Sequence, residues 1–123
     1  DMLYTYKATV LKVIDGDTID LQVSLGFEMY HKARFRLIGV NTPESFGKSA
    51  CEAGPAAKKF MIDLLPEGTV VIVATKKDKR EKFGRMLCEM YLCDADGKPL
   101  TITVNQTLIN AGHAKPYDGG ARE

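Results

Sequence analysis

Residues 18–25 read TIDLQVSL and alternate between polar and apolar side chains without a break. A period of two residues predicts a β-strand with one buried face and one face toward solvent. Gly26 follows directly and is predicted to end the strand. The buried face is predicted to consist of Ile19, Leu21, Val23 and Leu25.

Two further strands are predicted on either side of this one. Residues 7–14 are rich in β-branched side chains and run into the turn at Asp15-Gly16. Residues 33–40 return after Gly26 and end at Asn41-Thr42-Pro43. Three successive strands joined by short turns predict an antiparallel meander.

The remaining elements are two helices and two strands. Pro55 suits the first position of a helix whose apolar stripe consists of Ala57, Phe60, Met61 and Leu64. Strands are predicted over 69–75 and 85–93, joined by a charged segment. A second helix is marked by Val104, Leu108 and Ala111 and stopped by Gly112. This order predicts a mainly β fold, a five-stranded Greek-key barrel of OB type with helices against it.

Length and composition predict one domain over residues 1–123 but do not indicate a function. The chain has 17 basic and 16 acidic residues and a net charge of +1, so global charge gives no sign of a nucleic-acid partner. Apolar runs are too short for a membrane span. We expect a monomer that does not contact membranes and leave localisation open. Aspartate does not initiate translation, so we expect either that residues once preceded Asp1 or that Asp1 was added for expression.

The three cysteines are predicted to be small core or near-core residues. In an extended strand Cys88 and Cys93 would lie about 16 Å apart, well beyond the roughly 7 Å that a disulfide can bridge. No pair among Cys51, Cys88 and Cys93 has the spacing of metal ligands either.

Polar side chains cluster at the ends of the predicted strands. Two aspartates flank the glycine of the first turn, an amide, a hydroxyl and a carboxylate follow the third strand, and two arginines lie in or next to strands. Phosphodiester hydrolysis needs a carboxylate to orient water, fixed cations for the phosphoryl oxygens, and a metal ion can add charge. Oxygen donors without nearby His or Cys favour Ca²⁺ or Mg²⁺ over zinc. These residues are Asp15, Asp17, Arg36, Asn41, Thr42, Glu44 and Arg85.

The chain resembles the staphylococcal nuclease (thermonuclease) family. The resemblance is carried by VIDGDT at 13–18, FRL at 35–37, VNTPE at 40–44, GPAA at 54–57, KFGR at 82–85 and the stretch from VN at 104–105 to AGHAK at 111–115. Each block alone is weakly specific, but together they occur in order over roughly residues 8–115. The family hydrolyses DNA and RNA with little sequence preference and releases 3′-phosphates.

The resemblance implies a role for each matching position. Asp17, Asn41 and the backbone carbonyl of Thr42 would bind Ca²⁺, Glu44 would act as general base or orient the water, and Arg36 and Arg85 would grip the scissile phosphate. The family's usual aspartate is Asn41 here, so we expect weaker metal binding and allow Mg²⁺ or Mn²⁺. We assign Asp15 a supporting place beside the ligands. The positions that would contact substrate are Lys82, Phe83, Lys115 and Tyr117.

Structural interpretations stand beside these functional ones. Asp15-Gly16-Asp17 also suits a plain β-turn, Glu44 a loop acid, Arg36 a structural ion pair and Arg85 a hairpin tip. The six basic residues between 76 and 85 suit either a solvated hairpin or a track for a phosphate backbone. As a whole the chain could also be a weak or inactive OB-type nucleic-acid-binding module, or a domain that binds proteins through a barrel edge.

Overall fold

A computed structural model describes residues 4–41, 53–80 and 86–116, with the backbone alone at 41, 53–54 and 76–80. The first half of the chain forms strands β1 (Thr5–Asp15), β2 (Thr18–Gly26), β3 (Met29–Leu37) and β4 (Val40–Asn41). Helix α1 (Ala53–Leu64), strands β5 (Val70–Arg80) and β6 (Met86–Leu92), helix α2 (Val104–Asn110) and strand β7 (Lys115–Pro116) follow.

Five strands close into a barrel in the order β1-β2-β3-β6-β5, with β5 pairing back onto β1. The predicted meander β1-β2-β3 is confirmed as antiparallel. Strands β3 and β6 pair in parallel over three residues, from Phe35 opposite Met86 to Leu37 opposite Cys88. The predicted OB-type barrel with two helices is therefore confirmed.

The core fills the barrel and the space beneath α1. Ile19, Leu21 and Val23 are buried as predicted, whereas Leu25 is 47% exposed because the strand has left the barrel interior by that residue. The stripe of α1 is also confirmed: Ala57 and Met61 are buried, and Phe60 and Leu64 are partly buried against the core. Phe60 also stacks on His113, with ring centroids 4.7 Å apart.

The two cysteines with described side chains are free thiols, as predicted. Cys88 is fully buried in the core, and burial raises the pKa of its thiol to about 12, with the neighbouring Glu89 adding to the shift. A neutral buried thiol behaves as a small apolar residue. Cys51 lies outside the described residues.

Several predicted boundaries are wrong. Strand β3 begins at Met29 and ends at Leu37, and Val40 belongs to the separate two-residue strand β4, which pairs with β7. Strand β5 continues through the charged segment to Arg80, with an irregularity after Thr75. Helix α1 begins at Ala53, so Pro55 is its third residue; a first-turn N–H has no intrahelical partner, and proline is tolerated there.

Helix α2 ends one residue earlier than its predicted stripe. Ala111 is the exposed C-cap and not part of the buried face. Gly112 has a φ of +81° and stops the helix in the predicted left-handed conformation. Within the part of the chain that the structure describes, neither helix is long and apolar enough to span a bilayer.

Candidate active site

A buried ion pair lies where the turn between β1 and β2 meets the end of β3. Asp17 is in that turn, and Arg36 is on β3 opposite Thr18. Arg36 Nη2 lies 3.5 Å from Asp17 Oδ2, and the two residues are 8% and 6% exposed. The DGD turn and the arginine inside the apolar run FRL are thus brought together, as the sequence predicted.

Backbone carbonyls fix the orientation of the arginine. Arg36 Nη2 donates to the carbonyl of Val40 at 3.1 Å, and Nη1 donates to the carbonyl of Leu37 at 3.4 Å. The Leu37 amide in turn donates to the carbonyl of Asp17 at 2.9 Å, which ties the turn to the end of β3. The guanidinium plane is therefore set by a backbone segment that is hydrogen-bonded to the turn carrying the aspartate.

The Asp17 carboxylate is held on both of its oxygens. Thr18 Oγ1 donates to Oδ1 at 3.0 Å, and Oδ2 faces the guanidinium of Arg36. Burying a carboxylate is unfavourable unless its oxygens have such partners. Arg36 therefore forms an ion pair, as its structural alternative requires, and its partner is the predicted metal ligand.

Asp15 shapes the same turn. Its Oδ1 accepts a hydrogen bond from the Gly16 amide at 3.0 Å, and its side chain is half-buried. This contact matches the plain β-turn interpretation of the DGD sequence. It also places Asp15 at the base of the turn that presents Asp17, where a supporting role remains a prediction.

Asn41 and Lys115 approach this pair through the small β4–β7 sheet. Arg36 Nη2 contacts both Asp17 and the carbonyl of Val40, so Asn41, the next residue, begins beside the ion pair. Strand β4 pairs Asn41 with Lys115, and Lys115 is exposed. The structure thus brings five predicted site residues to one end of the barrel: Asp15, Asp17, Arg36, Asn41 and Lys115. The other six, Thr42, Glu44, Lys82, Phe83, Arg85 and Tyr117, lie outside the described residues.

The donors described at this site are oxygen atoms. Among the described residues no group of three or more His, Cys, Asp and Glu side chains is placed to hold a metal ion. Two of the predicted ligands are among the described residues. They are Asp17, whose carboxylate is buried, and Asn41, whose backbone begins beside the ion pair. Oxygen donors of this kind suit Ca²⁺, Mg²⁺ or Mn²⁺ rather than zinc. The remaining predicted ligand, Thr42, lies outside the described residues.

A buried amide for which no role was predicted, that of Asn105, supports this end of the barrel. Asn105 Nδ2 donates to the carbonyls of Ile38 at 2.7 Å and Cys88 at 3.4 Å. Its Oδ1 accepts from the Met90 amide at 3.0 Å. Asn105 thereby joins α2 and β6 to the turn that carries Val40. The sequence feature that could have indicated this role is the position of Asn105 next to Val104, which forms the buried stripe of α2 with Leu108.

Replacing Asn105 by alanine is expected to lower the free energy of unfolding by about 3 kcal/mol. The change leaves the Met90 amide and two carbonyls without this partner, and a buried unsatisfied polar group costs roughly 1–3 kcal/mol. Urea unfolding of both proteins measures the difference. Asn110→Ala is the control: Asn110 is exposed and accepts only a surface hydrogen bond from Gln106, so its loss should change stability by less than about 0.5 kcal/mol. Equal losses in both variants would contradict the proposed support.

Comparison with known proteins identifies a family for the chain. The family model described as "Staphylococcal nuclease homologue" matches residues 34–122, which is more than half of the chain. The chain belongs to the staphylococcal nuclease family. The match covers Arg36, Asn41 and the positions predicted to complete the site, and the resemblance inferred from the sequence is thereby confirmed.

Relatives in this family are longer proteins. The chain is 32% identical to "Endonuclease YncB" of Bacillus subtilis, over 89% of the chain and 47% of that protein. It is 30% identical to "Uncharacterized protein MJ1439" of Methanocaldococcus jannaschii, over 91% of the chain and 59% of that protein. The "SPbeta prophage-derived endonuclease YokF" of Bacillus subtilis is 29% identical, over 87% of the chain and 33% of that protein. The chain therefore spans between a third and three fifths of these relatives.

Proposed function

We propose that this staphylococcal nuclease-family chain is a metal-dependent phosphodiesterase that hydrolyses DNA, RNA or both. The observation that carries the proposal is the buried pair of Asp17 and Arg36, whose guanidinium is oriented by backbone carbonyls. Burying an aspartate beside an arginine is unfavourable unless the pair is well fixed, and such fixed charge is what a phosphoryl transition state requires. Two relatives carry endonuclease in their names, which supports the same class.

The roles proposed for the side chains follow the chemistry of the reaction. Glu44 orients a water molecule for attack on phosphorus, and the water gives a proton to the Glu44 carboxylate as the new P–O bond forms. The bond to the 5′ oxygen breaks, that oxygen takes up a proton from solvent and leaves as a hydroxyl, and the phosphate stays on the 3′ side. Arg36 and Arg85 balance the charge that builds on the phosphoryl oxygens. Met86, the residue after Arg85, pairs with Phe35, the residue before Arg36, which supports joint action of the two arginines.

A divalent cation completes the proposed site. Asp17, Asn41 and the carbonyl of Thr42 are the residues that would hold it, with Ca²⁺ as the first candidate and Mg²⁺ or Mn²⁺ as alternatives. The ion supplies positive charge and a template for the phosphate oxygens. An amide at position 41 contributes an oxygen donor without charge, so we propose weaker binding than two carboxylates would give.

Cleavage assays on plasmid DNA and on single-stranded RNA test the function. We expect cleavage with one of Ca²⁺, Mg²⁺ or Mn²⁺ and a rate at least about 100-fold lower in EDTA. Fragments should carry 5′-hydroxyl ends, which polynucleotide kinase phosphorylates without prior phosphatase treatment. Binding of either substrate without cleavage in any of the metals would refute the enzyme and leave a nucleic-acid-binding module.

A further inference from the structure

One face of strand β3 carries a row of cations that leads away from the active site. Side chains alternate along a strand, so Arg36, Arg34, Lys32 and Tyr30 share a face. The register confirms this, because Arg36 lies opposite Thr18 and Arg34 opposite Asp20 on β2, and Arg34 forms an ion pair with Asp20. The row continues outward from the arginine already assigned to the scissile phosphate.

Strand β1 adds to this charge. Lys12 pairs in register with Asp20, and Lys7 alternates with the buried Ala8, so both lysines point outward and are exposed. We call the outward side chains Lys7, Lys12, Asp20, Tyr30, Lys32 and Arg34 the basic face. It contains four cations and one carboxylate, whereas the whole chain has a net charge of only +1. This local surplus complements a polyanion.

The single carboxylate, Asp20, orients Arg34 and leaves the basic face with a net charge of +3 from four cations and one anion. Asp20 Oδ1 accepts from Arg34 Nε at 2.8 Å, and Oδ2 accepts from Nη2 at 3.3 Å. This hydrogen bond raises the pKa of Arg34 further above its already high ordinary value. The Arg34 side chain remains 51% exposed, so the guanidinium N–H groups that do not bind Asp20 can still donate to a ligand from solvent.

Aromatic side chains occupy the far end of the basic face. Tyr30 is 62% exposed on the same row as Lys32. Beyond it, the two-residue turn of the β2–β3 hairpin holds Phe27 and Glu28 at φ values of 55° and 62°, and Phe27 is 97% exposed. Stacking on unpaired bases is what exposed aromatics beside a cationic groove provide in single-strand binding. Paired bases in a duplex do not offer those faces.

We propose that the basic face binds single-stranded nucleic acid, with the backbone running from Arg36 past Arg34 and Lys32 and a base stacking on Tyr30. The proposal rests on the nuclease function, since it extends the substrate outward from the scissile phosphate. It places the nucleotides that flank the scissile phosphate on the outer face of β1, β2 and β3.

The proposed contacts between the lysines and the phosphates are tested by binding of a fluorescein-labelled oligothymidine. Its length of about 12 nucleotides lies within the roughly 4–16 that one OB barrel covers. Anisotropy is measured in EDTA to prevent cleavage. The double variant Lys12→Gln/Lys32→Gln should raise Kd about tenfold and reduce the salt dependence of log K by about 0.7 for each lost phosphate contact. The matched control Lys59→Gln/Lys98→Gln removes two exposed lysines elsewhere and should stay within about twofold. Equal loss in both double variants would overturn the proposal.

A short substrate separates this proposal from the nuclease assignment. Metal-dependent cleavage of bis(4-nitrophenyl) phosphate, which is too small to reach the basic face, should be unchanged in Lys12→Gln/Lys32→Gln. A fall in that rate as large as the fall in oligonucleotide binding would overturn the proposal. The wild-type protein could bind oligothymidine through these lysines but cleave neither oligothymidine nor bis(4-nitrophenyl) phosphate. That result would support the basic face as a binding surface and refute the nuclease function.

Tyr30 tests the preference for single strands. Tyr30→Ala should weaken binding of oligothymidine about tenfold, within the range of one aromatic–base stack, and Tyr30→Phe should stay within about twofold because it keeps the ring. A hairpin duplex of similar length should be bound equally by all three proteins. Equal weakening of duplex and single strand by Tyr30→Ala would overturn the single-strand assignment.

Discussion

Asp17→Asn is expected to lower the rate of DNA or RNA cleavage by at least about 10³-fold. The substitution keeps the shape of the side chain but removes the one buried carboxylate of the described site. It takes a charged ligand from the proposed cation and turns an N–H donor toward the guanidinium of Arg36. Loss of a charged group that acts on the transition state has effects of this size.

The chain offers a closely matched control. Asp63 also forms an ion pair, with Lys59 at 3.3 Å, but that pair is on the surface of α1 with both side chains more than half exposed. Asp63→Asn should leave the cleavage rate within about twofold, because surface ion pairs contribute little. Rates are measured at saturating metal and well below the melting temperature of each variant. Full activity in Asp17→Asn, with the protein free of contaminating nuclease, would end the metal-site assignment.

The sequence predicted the barrel because side-chain alternation and turn residues determine most of it. The alternation over residues 18–25 correctly predicted β2. Its predicted buried face is correct except at Leu25, where the strand passes the edge of the core. It could not predict the start of β3, since residues 29–32 are exposed and pair with β2 through the backbone. The extension of β5 through charged residues to Arg80 could not be predicted for the same reason. Strands that pair only through their backbones leave no pattern of hydrophobic side chains in the sequence.

The candidate site was predictable where residue chemistry was unusual in its context. An arginine between Phe35 and Leu37 and an aspartate after Gly16 both stood out, and the structure pairs them. The β4–β7 pairing that brings Lys115 to Asn41 involves two residues on each strand, too few for any pattern. Asn105 was missed because a polar residue in a short amphipathic helix looks like a surface residue until its backbone partners are known.

Arg36→Lys is expected to lower kcat about 10²- to 10³-fold, the effect of losing one fixed donor to a developing oxyanion. Lysine keeps the charge but has no planar fork, so it cannot hold the carbonyls of Val40 and Leu37 and present further donors at a fixed angle. Affinity for oligothymidine in EDTA should change less than threefold, because the positive charge remains near the strand.

The two readouts for Arg36→Lys distinguish catalysis from folding. A structural arginine would lose stability and binding together, whereas a transition-state donor loses turnover while the ground-state complex survives. Steady-state kinetics with urea unfolding of the same preparation therefore decides between the ion-pair and catalytic interpretations. Unchanged kcat in a variant that is destabilised by several kcal/mol would assign Arg36 to the scaffold, and the Asp17 carboxylate would then need another explanation for its burial.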